Sequence, residues 1–350
     1  MAERLQLGCP ESYDVMIVDR AIATRIGRFP WSSIQWGRTQ DDISKATITG
    51  AGLECCGVAS YIRPWRHAIV VYRNQKLVWA GPVLTVRVGS EVSIGCGDLM
   101  AWLYKRKIHD NASFVSVDLA TIFNAAITDA MSVDNVPGLF PTATITGIVG
   151  DREFVSAQAQ KAIDVVQELA RTGVDYTMVG TDMVAGNFTI NTAPIAVLTD
   201  KAFLSTPGVL LDGMSQGNAW EVGAGGGGAS GFSTIGSYSL VNAADGVLEE
   251  STTEDKILDQ ATADRNAKSR WDLTHDTPIS IEAISLSERA PTSIEALIPG
   301  AVVQMRLQRT CIPVSDNYRL QSVDVAVNSG AEGLTEEVSI TMQRLGTETL

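Results

Sequence analysis

Along the first hundred residues apolar and polar positions alternate. The segments YDVMIVD (Tyr13–Asp19), SSIQW (Ser32–Trp36), SKATITG (Ser44–Gly50), HAIVVYR (His67–Arg73), KLVWAGPVLTVRVG (Lys76–Gly89) and EVSIGCG (Glu91–Gly97) keep a period of two and are separated by Gly, Pro, Asn or Asp. That is the pattern of half-buried strands joined by turns, and it predicts a β-barrel or sandwich. Only Asn74-Gln75 lies between HAIVVYR and KLVWAG, which predicts a tight hairpin with Tyr72 and Trp79 near its turn. Pro82, inside the second run, marks a bulge or a sheet edge.

The period then lengthens to that of a helix. LMAWLYKRK (Leu99–Lys107) predicts a short helix, and Ser116 is a candidate N-cap for a helix running through Met131. In the latter, Leu119, Ile122, Phe123, Ala126, Ile127, Ala130 and Met131 share one face that must be covered by a core. A third helix is expected from a Ser156 cap to Arg171, stopping at Gly173 and burying Ile163, Val166 and Leu169. A hairpin pairing Val174–Val179 with Asn187–Asn191 should come next. The run Gly223–Ser237 has no apolar period and predicts a flexible loop or crossover. An acidic segment over 249–264 succeeds it, with a helix from about Glu254 to Ser269. The β pattern returns in SIEAISL, AVVQMRLQRT, NYRLQSVDVAVN and EEVSITMQRL. The expected fold class is mainly β with α+β inserts, two β-barrel-like domains flanking a mixed middle. The expected division is 1–97, 98–210, 211–278 and 279–350.

Composition adds a reason to expect partners. The chain of 350 residues is 45% hydrophobic and only 19% charged, below the roughly 25% charged residues of ordinary soluble domains, so part of its surface is expected to be buried against other proteins. A net charge of -13 repels phosphate backbones and argues against tight nucleic-acid binding. The cysteines (Cys9, Cys55, Cys56, Cys96, Cys311) are odd in number and lack a zinc spacing, so small buried thiols in a reducing cytoplasm are expected. The N-terminal residues lack the basic-then-apolar pattern of a signal peptide, no window reads as a membrane-spanning segment, and the chain is expected to be made and assembled in a cytoplasm.

Several motifs invite chemical readings. Gly213-Met214-Ser215-Gln216-Gly217 is a literal G-x-S-x-G, with Asp245, Asp255, Asp259 and then His275 succeeding it in the order of a hydrolase triad. The residues directly after the motif, NAWEVGAGGGG, cannot form the helix a nucleophile elbow needs. Gly223–Gly228 satisfies G-x-G-x-x-G but opens no helix. The three histidines, His67, His109 and His275, lie in separate strand starts and turns, two of them before an aspartate (Asp110, Asp276), with no supporting ligand set. No cofactor or metal site is expected. Two basic-aromatic clusters, Arg63-Pro64-Trp65-Arg66 and Trp102-Leu103-Tyr104-Lys105-Arg106-Lys107, are candidate protein interfaces, since Trp and Arg are favoured interface anchors. The candidate interface residues are Arg63, Trp65, Arg66, Trp102, Tyr104 and Arg106.

The ordered series HAIVVYRNQKLVWAGPVLTV, CGDLMAWLYKRKI, AQKAIDVVQELARTGVDYTM and IPGAVVQMRL with NYRLQSVDVAV resembles the tail-tip hub proteins, often called minor tail proteins and baseplate-hub-like, of long non-contractile bacteriophage tails. Trp79, Gly81, Pro82 and Val83 match that family's Trp-x-Gly-Pro-Val element, and Asp98, Leu99 and Leu103 its Asp-Leu-x-x-x-Leu helix. The resemblance implies two β-barrels around a channel, a homotrimer whose six barrels match a six-fold tail tube, and a place in the virion at the tail tip. It implies as partners a distal tail protein, a tape-measure protein and other minor tail proteins, with transient passage of phage DNA during ejection. A non-enzymatic structural role is the reading it favours. The alternatives are a hydrolase of host envelope or polysaccharide centred on Ser215 and His275, and a receptor-binding module.

Overall fold

A computed structural model describes residues 10, 12–20, 24–52, 57–136, 139–156, 159–188, 193–211, 213–224, 234–241, 246–254, 260–275, 279–311, 313–330 and 333–345. The first strands are β1 (Tyr13–Asp19), β2 (Thr24–Arg28), β3 (Ser33–Thr39), β4 (Lys45–Ala51), β5 (His67–Arg73), β6 (Lys76–Val88) and β7 (Glu91–Gly97). They hydrogen-bond in the order β2-β1-β5-β6-β7-β4-β3. In β5 every second residue, His67, Ile69, Val71 and Arg73, is buried, as the period of two requires. The expected hairpin is present. Asn74 (φ 48) and Gln75 (φ 65) are both left-handed, the backbone twist that joins two strands through two residues.

Pro82 is on no edge. The strand β6 pairs with β5 through Pro82 and with β7 from Val83 onward, and the register shifts between Val83 and Thr85. The proline therefore sits where one long strand exchanges partners, beside a bulge. Gly81 has a different role: a Cβ there would stand 1.8 Å from the Gly97 carbonyl oxygen, so only glycine lets the two backbones cross.

The middle of the chain holds the 3₁₀ helix Leu99–Lys105, β8 (Ala112–Asp118), α1 (Leu119–Ala130), β9 (Val149–Phe154), α2 (Ala162–Thr172), β10 (Asp175–Val179), β11 (Asp182–Gly186) and β12 (Pro194–Thr199). The helix α1 buries Leu119, Ile122, Phe123, Ala126, Ile127 and Ala130 as its spacing predicts. Its cap is Asp118, whose carboxylate accepts from the Ala120 N–H at 2.9 Å; Ser116, the expected cap, lies within β8. A carboxylate two residues from the first free N–H reaches it, whereas Ser116 is still in the strand. The helix α2 begins at Ala162, six residues after the expected Ser156 cap, and stops as expected at Gly173 (φ 120). The next hairpin is shorter than predicted. Asp175–Val179 pairs with Asp182–Gly186 across Gly180-Thr181, because Gly180 (φ 63) supplies the turn early. These helices and hairpins share one core with Leu99–Leu103, Val136 and Leu139.

The remainder comprises β13 (Val209–Leu211), β14 (Ala219–Ala224), β15 (Thr234–Ser239), β16 (Glu249–Glu254), α3 (Gln260–Thr274), β17 (Ile279–Leu286), β18 (Val302–Leu307), β19 (Val314–Gly330) and β20 (Gly333–Arg344). Two expectations are corrected here. The ends of the glycine run are strand: β14 pairs antiparallel with β15 from Ala219–Ser239 to Ala224–Thr234. Residues 225–233, at the centre of the expected loop, lie outside the described residues. The acidic segment starts as strand β16, which includes Glu254, the expected start of the helix, and α3 is described over Gln260–Thr274; residues 255–259 lie outside the described residues. The β14–β16 sheet and α3 enclose a small core of Val222, Ala263 and Ala267. Small residues are needed at this contact: a Cβ on Gly236 would lie 2.1 Å from the Ala263 carbonyl carbon.

The opening and closing β regions form one continuous sheet. β19 pairs with β20, β18 and, antiparallel, with β3, placing Trp36 opposite Val325 and Ile34 opposite Val327. Ile34, Trp36, Ile48, Ile69 and Ile94 thus share a core with Val303, Tyr318, Leu320, Val323 and Ile340. Two buried cations lock the halves together. Arg73 donates to both oxygens of Glu336 at 2.7 and 2.9 Å, and the Tyr13 hydroxyl donates to the same carboxylate at 2.6 Å. Arg38 Nη1 donates to the Ile294 and Leu297 carbonyls at 2.8 and 3.0 Å, and burial lowers its pKa to about 10.

Candidate interaction surface

The two basic-aromatic clusters meet in space. Asp98 caps the 3₁₀ helix, accepting from the Met100 N–H at 3.0 Å and from the Ser44 N–H at 2.7 Å. Burial raises its carboxyl to about 7, against these hydrogen bonds, which favour the ionised form. The helix so anchored presents Trp102, and Trp65 packs edge-on against it with ring centroids 5.1 Å apart. Trp65 holds a left-handed backbone (φ 64), costly for a bulky residue. Its N–H donates to the Val83 carbonyl at 2.8 Å, which fixes that conformation.

Two residues outside both sequence clusters complete the group. The Arg20 guanidinium lies 4.3 Å from the Trp102 ring centroid, and Arg20 and Arg106 both donate to Asp134, at 2.6 and 3.0 Å. Hydrogen bonds from Arg20 and Arg106 hold the Asp134 carboxyl below its ordinary range. Arg66 pairs with Asp19 at 3.0 Å, and its carbonyl accepts from the Arg20 N–H. Arg63 turns back to the Ser60 and Ile62 carbonyls. Nothing periodic marks Arg20 or Asp134 in the sequence, since the first stands just beyond a strand and the second in a bend.

The six candidates therefore divide by exposure. Trp102 is 8% exposed and, with Trp65 and Arg106, joins the main sheet to the α+β insert within the chain. Tyr104, Arg63 and Arg66 are exposed, and Lys105 stands 5.5 Å from the Trp65 ring centroid. This outer rim exposes three cations and a phenol.

A second junction joins sheet to insert through carboxylates. The Asp41 N–H donates to the Tyr176 carbonyl at 2.9 Å, and the Tyr176 N–H to Asp41 at 2.8 Å. Gln40 Nε2 donates to Asp175 at 2.9 Å and to Asp41 at 3.2 Å. Burial, followed by the charge of Asp175, raises the Asp41 carboxyl to about 7, and burial raises Asp175 as well. Elsewhere on the sheet an open groove of about 780 Å³ is lined by Phe29, Trp31, Val58 and Tyr61.

The remaining motifs take structural places. Gly213–Ser215 is a single 3₁₀ turn between β13 and β14, so the segment after the serine is strand and the strand-turn-helix of a nucleophile elbow is not formed. His275 stacks on Trp271 at 3.9 Å. His67 is buried, accepts from the Arg63 N–H at 2.9 Å and lies 3.7 Å from Asp19; burial lowers its pKa. Cys96 is buried, and burial raises its thiol. Cys311, expected inside, is exposed because it lies beyond the end of β18 in a bend. Cys9, Cys55 and Cys56 lie outside the described residues. Among the described residues no group of three or more His, Cys, Asp or Glu gathers in a metal-holding arrangement, and no helix is long and apolar enough to cross a membrane.

No protein-family model matches the chain, and no curated protein matches it in sequence. Solved structures do match in fold. The chain is similar to a tail protein from Neisseria meningitidis MC58 (12% identity, TM-score 0.62, covering 94% of this chain and 96% of the other). It is similar to the 43 kDa tail protein of prophage MuSo2 from Shewanella oneidensis (11% identity, TM-score 0.63, 94% and 98%). Prophage tail protein gp18 from Listeria monocytogenes EGD-e is a third (11% identity, TM-score 0.58, 94% and 94%). With both partners covered almost end to end, the fold of this chain is the fold of these phage tail proteins, as the ordered motifs around Trp79–Val83 and Asp98–Leu103 lead one to expect.

Proposed function

We propose that this chain is a non-enzymatic structural subunit of a phage tail tip, a homotrimeric hub that joins the tail tube to the distal tip and forms part of the DNA ejection channel. The observation that carries the reading is the end-to-end likeness to phage tail proteins, which leaves no sizeable region of either partner unmatched. Composition supports it: sparse charge and high apolar content suit a subunit with large interfaces, and a net charge of -13 suits a conduit that passes DNA without holding it. Its partners are a distal tail protein, a tape-measure protein and other minor tail proteins, met in part through the rim of Arg63, Arg66 and Tyr104. It resides in the virion after assembly in the host cytoplasm.

The division into an opening β unit (1–97), an insert (98–210), a crossover with an acidic segment (211–278) and a closing β unit (279–350) is proposed as the functional one, the β units forming the ring and the insert facing neighbours. Antibody labelling of virions by negative-stain microscopy is expected to mark the distal end of the tail, and a density map of the tip to hold three copies. Label along the tube or on lateral fibres would overturn the hub reading; six copies or one would overturn the stoichiometry.

A further inference from the structure

Two strand edges of opposite charge meet no further strand among the described residues. β2 ends the large sheet and hydrogen-bonds, among the described strands, only to β1. Its sequence, TRIGR, carries two cations and no anion. Arg25 and Arg28 are exposed, Ile26 is 48% exposed, and Arg28 reaches Asp14 at a loose 3.4 Å. β16 is the outer strand of the small sheet and, among the described strands, bonds only to β14. Its sequence, EESTTE, carries three anions and no cation. Glu249 and Glu250 are exposed, Glu221 is exposed on the adjacent β14, and Val247 just before the strand is 61% exposed.

No other described edge carries more than one charge of a single sign. β12 (PIAVLT), β13 (VLL) and β15 (TIGSYS) carry no charged residue, β8, β10 and β11 carry one aspartate each, and β9 (VGDREF) mixes both signs. A bare edge presents a row of backbone donors and acceptors that templates pairing with another chain, and proteins commonly blunt it with charge. Charge of one sign repels a like edge and admits an opposite one. β2 and β16 have five and six residues, about 17 and 20 Å at the strand rise, so either can cover the other.

We propose that β2 of one copy adds to β16 of the next, so that successive copies are joined by a strand pair with Arg25 and Arg28 set against Glu249 and Glu250. This deepens the ring-forming reading and rests on it. The contact is heterologous, since two different edges meet, and such contacts close into a ring when the rotation between copies is right. Main-chain hydrogen bonds join the two sheets across the boundary, and Ile26 and Val247 leave water beside them. The acidic strand then has a place at the boundary between copies.

The test uses the purified full chain and three variants: Arg25→Glu/Arg28→Glu, Glu249→Lys/Glu250→Lys, and the fourfold variant carrying all four changes. Association is followed by sedimentation velocity over a range of concentration and salt, with circular dichroism confirming that each variant is folded. Each double variant is expected to associate at least about tenfold more weakly, equivalent to about 1.4 kcal/mol. The fourfold variant, with the charges exchanged, is expected to recover most of that loss, and wild-type association should weaken with salt. Double variants that associate like the wild type, a fourfold variant as weak as the doubles, or a wild-type chain that stays monomeric would each overturn the pairing. Antibody label at the tail tip alongside a monomeric chain in solution would sink this inference and leave the hub reading standing.

Discussion

The main sheet and the small β14–β16 unit solve the same problem by different means. The main sheet gathers large side chains such as Ile34, Trp36, Tyr318 and Ile340 from both ends of the chain around a buried Arg73–Glu336–Tyr13 group. The small unit has a core of Val222, Ala263 and Ala267, and brings α3 against β15 by leaving out a side chain at Gly236. The first is held by burial and long-range contacts, so damage to it is global. The second is held by closeness of backbones, so damage should stay local. A robust frame with a lightly built attachment is consistent with the proposed ring, in which the frame forms the ring and the attachment meets a neighbouring copy.

The largest effect should come from the buried ion pair. Glu336→Ala leaves the Arg73 cation without its carboxylate in the core and is expected to cost about 3–5 kcal/mol of stability, read as a lowered urea midpoint. Arg73→Met with Glu336→Leu should cost far less, because no uncompensated charge remains. A double variant as unstable as Glu336→Ala would show that packing, rather than charge, governs the frame.

Titration gives the next contrast. Asp98 and Asp41 are both raised in the folded chain to about 7 from an ordinary 3.8. The folded state therefore holds protons that the unfolded state has released, so the stability these groups contribute is complete below about pH 3.8 and is lost as pH rises through about 7. Unfolding free energy should fall over that interval by on the order of 4 kcal/mol for each group, and Asp98→Asn should flatten the decline. A profile that rises across the same interval and is unchanged by Asp98→Asn would contradict it.

In the small unit, Gly236→Val should cost about 1–3 kcal/mol through overpacking against Ala263. Hydrogen exchange should then quicken over 219–224, 234–239 and 260–274 and remain slow in β3, β19 and β20; acceleration throughout would show that the two regions unfold as one. The smallest effect is expected at Ser215, where Ser215→Ala should change stability by less than about 0.5 kcal/mol and leave particle assembly and infection unchanged. Loss of a lytic or esterase activity in that variant would restore the hydrolase alternative.

Local pattern was enough to specify the main strands and the faces of the helices. A period of two in His67–Arg73 and Val338–Met342, and the helical stripe from Leu119 to Ala130, are properties that neighbouring residues impose on each other. The Asn74-Gln75 turn was legible in the same way, as were the Gly81 and Asp98 positions of the motif that carried the resemblance. The short strands escaped such reading. TRIGR and EESTTE have no apolar alternation, and their extended form comes from the β1 and β14 backbones they pair with. The cap at Asp118 and the early turn at Gly180 were settled by which donor or carbonyl lay within reach. Long-range packing had to bring β3 to β19, nearly three hundred residues later, Trp65 to Trp102, and Arg20 and Arg106 to a shared Asp134. Pattern along a chain specifies which side of an element is apolar, but not which distant element covers it. Pairing across such distances is selected by the packing of the whole core, and the same selection leaves β2 and β16 as edges among the described strands.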